Sequence, residues 1–225
     1  MANFRPAEMT EELRRKILFT AAMLFVEKGV NATSFAEIAS VSGVSKSKIL
    51  YEIKSKEELI TALISYVVEG QSKAVKDFLK DKSDDKLIFY ATETALLLYI
   101  TEINENIREL YTVAYSLPAS STLIKKVVAE KNEKLLKEYL PKLESKDFYE
   151  LEIASGGILR GFLSVPSDIY FTRERKICRF IESSFKVYDL PEEKIKQAID
   201  FVMAADIETL AQAVIESMVS FFRAA

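Results

Sequence analysis

Apolar residues recur along most of this chain at intervals of three and four positions, the spacing that places side chains on one face of an α-helix. No segment shows the strict alternation of apolar and polar residues expected of a half-buried strand. The sequence therefore predicts an all-α fold. The first predicted helix begins at a capping threonine, Thr10, and stops before Gly29. Its apolar face consists of Leu13, Ile17, Ala21, Leu24 and Phe25.

Two short helices joined by a glycine are predicted next. Ser34 and Glu37 have the spacing of a capping box, in which each side chain binds a free backbone amide at the start of a helix. Gly43 supplies the backbone freedom of a tight turn, and Ser45 can cap the second helix. This arrangement is typical of a helix-turn-helix, whose second helix lies in the major groove of DNA. The residues expected to face the core are Phe35, Ile38, Ala39, Val41, Ile49 and Ile53.

The rest of the chain is predicted to be helical almost to its end. A second capping box, Ser55 with Glu58, begins a long helix that continues through Phe78. Prolines separate several later segments, because the residue before a proline disfavours the helical conformation. The predicted later helices span residues 85–104, 107–117, 121–140, 147–165, 167–187 and 192–222.

The charge distribution permits a specific DNA-binding protein but argues against one that coats nucleic acid with its whole surface. The formal net charge is −3, whereas five lysines and only two glutamates occur between residues 28 and 56. A sequence-specific binder needs only such a local excess of positive charge.

Several classes of chemistry are excluded by residues that the chain lacks. It has no histidine, which excludes His-based catalytic triads and zinc sites that require imidazole. It also has no Gly-x-Ser-x-Gly motif, phosphate-binding glycine loop or Cys-x-x-Cys pair. We therefore predict no catalytic residues, no metal site, no cofactor and no enzymatic activity. The single Cys178 fits a reducing compartment and no apolar run is long enough to span a membrane, so we expect a cytoplasmic protein.

Three segments at fixed spacing carry a family resemblance: ATSFAEIA (32–39), SGVSK (42–46) and KSKEEL (54–59). Over residues 11–63 the chain resembles the DNA-binding domain of the tetracycline-repressor (TetR) family. The resemblance implies a homodimer whose two recognition helices enter successive major grooves of a palindromic operator in double-stranded DNA. It also implies a larger C-terminal domain that dimerises and binds a small-molecule effector, usually with release of DNA. The expected domains are a helix-turn-helix DNA-binding domain at 1–56 and a helical effector-binding and dimerisation domain at 57–225.

The predicted recognition helix departs from the family pattern at three positions. Ser47 replaces a frequent Gly, Leu50 a frequent Tyr, and Glu52 a His or Tyr. Leu50 cannot donate a hydrogen bond, and Glu52 would repel a phosphate. Tyr51 is therefore expected to make a phosphate or base contact in their place.

Lys46 and Lys48 are the leading candidates for contacts with base edges or phosphates, because they lie on the recognition helix. Lys54 and Lys56 lie beside a helix N-terminus, where charge and free amides together suit a phosphate. The alternative for each lysine is a solvated surface position, and the alternative for the serines is capping alone. The candidate DNA-binding residues are Thr33, Ser34, Ser45, Lys46, Ser47, Lys48, Tyr51, Lys54 and Lys56.

The effector site is expected among aromatic residues of the C-terminal domain, although ordinary core packing is the alternative for each of them. The absence of His and Trp favours a lipophilic ligand. Arg160 lies on an otherwise apolar helix, where it would pair with an anionic head group or form a salt bridge at the rim. The candidate ligand-binding residues are Tyr90, Tyr99, Tyr111, Tyr115, Phe148, Arg160 and Phe162.

Glycines spaced four apart, Gly157 and Gly161, remove side-chain bulk from one helix face. Close packing inside the monomer and a dimer interface are both compatible with this spacing. We assign the face, together with the final helix, to the dimer, because the last helix is more apolar than a surface helix requires. Its apolar residues are Ile207, Leu210, Val214, Ile215, Met218, Phe221 and Phe222.

The function expected from these observations is a one-component transcriptional repressor that a small lipophilic molecule induces. A regulator of the same fold with an activating or co-repressing ligand is an open alternative. A DNA-organising protein that needs no ligand is another, and it would bind arbitrary duplex with steep salt dependence.

Overall fold

The computed structural model describes residues 11–224, and it describes the side chains of residues 11–217. Within this range the chain is all-α, as predicted, and no strand occurs. None of the helices in the described part is both long and apolar enough to cross a membrane. The helices are α1 (Glu11–Lys28), α2 (Phe35–Ser42), α3 (Lys46–Glu52), α4 (Lys56–Leu79), α5 (Lys86–Ile103), α6 (Glu105–Ser116), α7 (Pro118–Leu136), α8 (Ser145–Leu163), α9 (Arg173–Val187), α10 (Glu192–Ala204) and α11 (Ile207–Ala224).

The first three helices form a compact unit, called here the three-helix unit, whose turns use the predicted residues. Ser34 and Glu37 form the reciprocal capping box at the start of α2. Gly43 ends that helix with a positive φ of 68°, and the Ser45 hydroxyl accepts a hydrogen bond from the backbone of α3. Thr10, the predicted cap of α1, lies outside the described residues.

The core of the three-helix unit contains most of the predicted residues. Ile38, Ile49 and Ile53 are almost completely buried. Ile38 lies on α2, Ile49 on α3, and Ile53 directly after α3. Val41 was predicted to face inward, but its side chain is 54% exposed. Val41 is the last residue but one of α2, which ends at Ser42 before the Gly43 turn.

The later helices pack around α5, which is buried along most of its length. Helices α4, α9, α10 and α11 all contact α5, and α7 packs between α4 and α8. The predicted segment 167–187 begins as a helix only at Arg173. Its first residues instead form a turn, in which Asp168 accepts hydrogen bonds from the backbone amides of Tyr170 and Phe171.

The predicted final helix, 192–222, is interrupted at residues 205–206. Ala205 has an extended backbone, and the Asp206 carboxylate accepts a hydrogen bond from the Thr209 amide, which starts a new helix. Helix α11 then packs against α1, α4 and α5 of the same chain, with Ile207 and Ala211 buried. Intrachain packing therefore buries Ile207, Ala211 and Val214, whereas Leu210 and Ile215 are half-buried, and the assignment of this helix to the dimer stays a prediction. The side chains of Met218, Phe221 and Phe222 lie outside the described residues.

Candidate nucleic-acid interface and internal cavity

One face of α3 is anchored in the core and the opposite face is open to solvent. Ile49 is completely buried in the core, and α3 packs against α2. Lys46 and Ser47 are exposed, and the Tyr51 side chain is 61% exposed. A short helix fixed in this way presents polar side chains with the dimensions that the major groove accepts.

The departures from the family pattern lie on the same exposed surface. Leu50 is 37% exposed and lies next to Tyr51, whose hydroxyl is the available donor at this end of the helix. Lys48 and Glu52 are only half-buried, so both remain accessible at the edge of the surface.

Two serines act as caps and are exposed at the same time. The Ser34 hydroxyl accepts a hydrogen bond from the Glu37 amide at 3.2 Å, and the Ser45 hydroxyl accepts one from the Lys48 amide at 3.4 Å. The Ser34 hydroxyl also donates to the Glu37 carboxylate at 3.0 Å, and the Ser45 hydroxyl shares a hydrogen bond of 3.4 Å with Ser47, so both serines act first as caps.

Thr33 is not available to DNA, contrary to the prediction from sequence. Its side chain is 1% exposed, and its hydroxyl donates a hydrogen bond to the Gly29 carbonyl oxygen at 2.8 Å. Thr33 therefore closes the turn between α1 and α2, where Gly29 has a positive φ of 89°.

Lys56 also differs from its predicted role as a phosphate ligand. Its ammonium donates to the carbonyl oxygens of Val30 and Asn31, at 2.8 and 3.4 Å. These bonds hold the start of α4 against the α1–α2 turn. Lys54, two residues earlier, is exposed.

Fewer lysines of the helix-turn-helix region are free to contact DNA than the sequence suggests. The Lys28 ammonium pairs with Glu37 and, together with the Ser34 amide, holds the pKa of that exposed carboxyl at about 2. Because Lys28 and Lys56 are engaged inside the fold, the lysines between residues 28 and 56 that remain available are Lys46, Lys48 and Lys54.

Helix α6 holds the three-helix unit through defined polar contacts, and α7 contacts the start of α4. The Glu109 carboxylate of α6 accepts hydrogen bonds from the Val30 and Asn31 amides, at 3.0 and 3.4 Å, and from the Asn31 side chain. Asn106, also on α6, donates to the Val26 carbonyl at 3.0 Å. At the start of α7, the Ala119 amide donates to Glu57 at 2.9 Å.

Behind the three-helix unit, helices α4 to α8 enclose a cavity of about 140 Å³, which α1 also reaches through Ala22 and Val26. Most of its lining is apolar, with Leu63, Leu97 and Leu110 as examples. The polar side chains of the lining are Gln71, Tyr90, Glu93, Thr94, Tyr111, Tyr115, Lys131, Glu152 and Ser155. A pocket of this composition suits a small apolar molecule that is oriented by a few polar contacts.

Three of the predicted ligand-binding residues, Tyr90, Tyr111 and Tyr115, line this cavity. Tyr90 shares a hydrogen bond of 2.6 Å with Ser184, and Gln71 donates to the Tyr111 hydroxyl. Their role in ligand binding remains a prediction.

The other four predicted ligand-binding residues lie outside the cavity. Tyr99 packs under the guanidinium of Arg173, 4.4 Å from the ring centre. Phe148 is fully buried against Tyr188, and Arg160 is exposed on the outer face of α8.

Phe162, the fourth of these residues, packs against two other aromatic rings. It stacks on Phe171 and meets the edge of Phe180, at ring-centre distances of 5.6 and 6.1 Å. Phe180 lines the cavity in its place. These corrections share one cause: helical spacing identifies the buried face of a helix but not the neighbour that this face meets.

The charged groups of the cavity were not predicted. Glu93 is buried, pairs with Lys131 at 2.5 Å, and accepts a hydrogen bond from Ser72. Glu152 is 3% exposed, and its carboxyl accepts a hydrogen bond of 3.3 Å from Asn132. A signal was present in the sequence, since Glu152 lies four residues after Phe148 and seven before Leu159, on the buried face of α8.

Burial makes Glu152 an unusually weak acid. Loss of solvation raises the pKa of its carboxyl to about 8, and the positive charges of Lys131 and Lys125 only partly oppose this effect. At neutral pH the folded protein therefore carries Glu152 mainly in its protonated, uncharged form.

The substitution Glu152→Gln is expected to change how stability depends on pH. Folded Glu152 keeps its proton up to about pH 8, whereas the unfolded chain loses it above about 4.5. Its contribution to stability is thus fully present below about pH 4.5 and is lost as the pH rises to about 8. Relative to wild type, the Gln variant should gain on the order of 2–3 kcal/mol between about pH 6 and pH 9 in urea unfolding. The exposed Glu150→Gln change on the same helix is the control, and an identical pH dependence for the wild type and Glu152→Gln would contradict the assignment.

Comparison with known proteins agrees with the geometry of the three-helix unit. Residues 17–63, from α1 into α4, match the family model described as bacterial regulatory proteins, tetR family. The probable HTH-type transcriptional regulator YttP of Bacillus subtilis (strain 168) is 30% identical over 162 residues, which cover 70% of this chain and 71% of that relative. The HTH-type transcriptional regulator QacR of Staphylococcus aureus is 29% identical over 130 residues, 57% of this chain and 65% of QacR.

A solved structure supports the fold of most of the chain. The crystal structure of RolR in complex with resorcinol superposes with a TM-score of 0.67 at 16% identity, and covers 84% of this chain and 93% of RolR. The superposition extends the similarity beyond the three-helix unit to the helices that enclose the cavity. With its helix-turn-helix, its all-α architecture and a relative that is similar over most of its length, the chain belongs to the TetR family of bacterial transcriptional regulators.

Proposed function

We propose that this protein is a transcriptional repressor that binds a palindromic operator as a homodimer through α3 and releases it when a small molecule enters the cavity. The observation that carries the proposal is the solvent-facing surface of α3, with Lys46, Ser47 and Tyr51 exposed on a helix that Ile49 fixes in place. The chain acts by binding rather than by catalysis, and its operator places its action in the cytoplasm.

Two helices connect the cavity to the three-helix unit. Helix α4 begins directly after the recognition helix and lines the cavity with Leu63 and Gln71. Helix α6 holds the α1–α2 turn through Glu109 and lines the cavity with Leu110 and Tyr111. A ligand that displaces either helix therefore moves the recognition surface, because packed helices shift as units rather than deform continuously.

In our proposal residues 1–56 form the DNA-binding unit and residues 57–225 form the effector unit. Hydrogen bonds join the two units at their boundary. Glu57 and Lys56 lie at the boundary itself, where they bond to the start of α7 and to the α1–α2 turn. The boundary is consequently a mechanical connection and not a loose linker.

The outer face of α8 is the proposed dimer surface. Tyr149 and Ile153 are 37% and 46% exposed on this face. A Cβ atom on Gly157 or Gly161 would meet no atom of the described residues within 4 Å, so neither glycine serves close packing in the monomer. The glycines carry no side chains, so a second copy that packs on this partly apolar face would approach the backbone of α8 closely.

Selection from a library of random duplexes tests the proposed function. We expect an inverted repeat, bound by two chains and preferred over scrambled duplex by about 1,000-fold or more at physiological salt. Sedimentation of the complex gives the number of chains, and addition of cell extract fractions identifies those that release the DNA. Equal affinity for arbitrary duplex would contradict the proposal and favour a DNA-organising protein.

A further inference from the structure

The polar side chains of the cavity divide into a charge-balanced pair and one carboxyl group without a charged partner. Lys131, the basic residue of the lining, pairs with Glu93 at 2.5 Å, and Ser72 donates a further hydrogen bond to Glu93. This pair has little need of a ligand. The remaining acidic group of the lining is Glu152.

Both hydrogen-bond partners of Glu152 are uncharged. Asn132 donates a long hydrogen bond of 3.3 Å to one carboxylate oxygen, and the Tyr188 hydroxyl also bonds to the carboxyl. Asn132 is shared, since the same side chain donates to Tyr188 at 2.9 Å. Uncharged partners at these distances do not compensate the burial of a negative charge, which requires an opposite charge nearby.

The other carboxylate oxygen of Glu152 and the ring of Tyr115 both lie close to Gly156. A Cβ atom on this glycine would lie 3.0 Å from Glu152 Oε1 and 3.8 Å from Tyr115 Cε1, and Gly156 itself lines the cavity. Tyr90 and Tyr111 line the same cavity. Tyrosine side chains beside a carboxylate are the kind of lining in which organic ammonium groups are bound, because aromatic rings attract a cation.

We propose that the cavity binds a lipophilic organic cation, with its charged group beside Glu152 and Tyr115 and its apolar part against α4 and α6. This inference rests on the proposed function, because it names the chemical class of the effector. The apolar lining, with Leu63 and Leu110, accommodates the hydrocarbon part of such a molecule.

A cation that binds beside Glu152 replaces the proton on its carboxyl group. With the cavity empty, burial raises the pKa of the carboxyl to about 8 and the proton stays on. A bound cation stabilises the carboxylate, and the proton leaves to solvent. The charged and titratable groups that face Glu152 are Lys131 and Lys125 from α7, Glu93 and Tyr90 from α5, Tyr111 and Tyr115 from α6, and Tyr188 after α9.

Two probes of nearly equal shape test the proposal directly. A cavity of about 140 Å³ suits a molecule with one aromatic ring. Benzyltrimethylammonium carries a permanent positive charge that does not titrate, and neopentylbenzene is its neutral isostere. Calorimetry measures binding of each probe to the wild-type protein without DNA, so the result does not depend on operator binding.

We expect the cation to bind at least about tenfold more tightly than the neutral isostere above about pH 8. Its affinity should fall by about tenfold per pH unit below that value, with one proton released per cation bound. Glu152→Gln should abolish both the preference and the pH dependence, whereas Glu150→Gln should leave them unchanged. The wild-type pH profile stands on its own if the Gln variant fails to fold.

Equal binding of the two probes, a preference that survives in Glu152→Gln, a flat pH profile, or no binding of the cation at about 1 mM would each overturn the proposal. None of these results touches the DNA-binding function, which the duplex selection tests separately. Loss of operator binding with an intact cation preference would instead overturn the regulatory role and leave the ligand class in place.

Discussion

Reversal of the charge on the recognition helix by Lys46→Glu is expected to lower affinity for the selected operator by at least about 100-fold. Lys46 is exposed at the start of α3, and a dimer presents two copies of it to the DNA. Each copy loses an attraction and gains a repulsion toward phosphates or base-edge acceptors, at about 1–3 kcal/mol per copy. A binding titration at fixed salt measures the effect.

The matched control is Lys126→Glu, which makes the same charge change at an exposed position on α7. It should alter operator affinity by no more than about twofold, because distant surface charges are screened within about 10 Å. Equal losses for the two variants would mean that net charge, and not the surface of α3, governs binding.

Removal of the Glu109 carboxylate by Glu109→Ala is expected to loosen the three-helix unit from α6. Two backbone amides, of Val30 and Asn31, and the Asn31 side chain lose a charged acceptor. Hydrogen bonds to charged groups contribute about 1.5–3 kcal/mol each. We expect hydrogen exchange at the two amides to accelerate by about tenfold or more, and the melting temperature to fall by about 5–10 °C.

Operator affinity should fall in parallel, since α3 is positioned through the same turn. Glu105→Ala is the control, because Glu105 lies on the same helix and forms only an exposed ion pair with Arg108. Unchanged exchange at Val30 and Asn31 in Glu109→Ala would show that α6 does not hold the three-helix unit.

The three-helix unit was predictable because its structure is determined by local signals. The capping box of Ser34 and Glu37, the turn at Gly43 and the spacing of Ile49 and Ile53 each act within a few residues. Errors arose where an orientation depends on contacts from elsewhere in the chain. Lys56, for example, was predicted as a phosphate ligand, but carbonyl groups 25 and 26 residues away bind it.

The cavity was much less predictable, since it is a gap between helices and not a property of any one of them. Tyr99 and Tyr111 are both aromatic residues on helical faces, yet only Tyr111 lines the cavity. The difference depends on which helix each face meets, and that is decided by packing between distant parts of the chain. Glu152 is the instructive exception, because an acid at a buried position of a helical repeat is visible in the sequence itself.

Packing between distant parts of the chain also explains why the positions of the last helices were not predicted. Ile207 and Ala211 follow the spacing of an interface helix, but α11 folds back onto α1 and α5 of its own chain. The break that permits this has no proline or glycine, and depends on Asp206 acting as a new cap for Thr209. Apolar residues at helical intervals predict that one face of a helix is buried. They do not indicate whether that face packs against the same chain or against a second copy.

Cleavage of DNA from a reagent attached to α3 tests the placement of this helix in the groove most directly. Ser47→Cys, in a Cys178→Ser background, provides one attachment point for an iron chelate on the exposed face of the helix. We predict two cleavage sites related by the symmetry of the selected inverted repeat and separated by about one DNA turn, or a whole multiple of it. The same reagent at Lys126→Cys should cleave neither site. Absence of cleavage from position 47, or identical patterns from both positions, would contradict the assignment of α3 to the major groove.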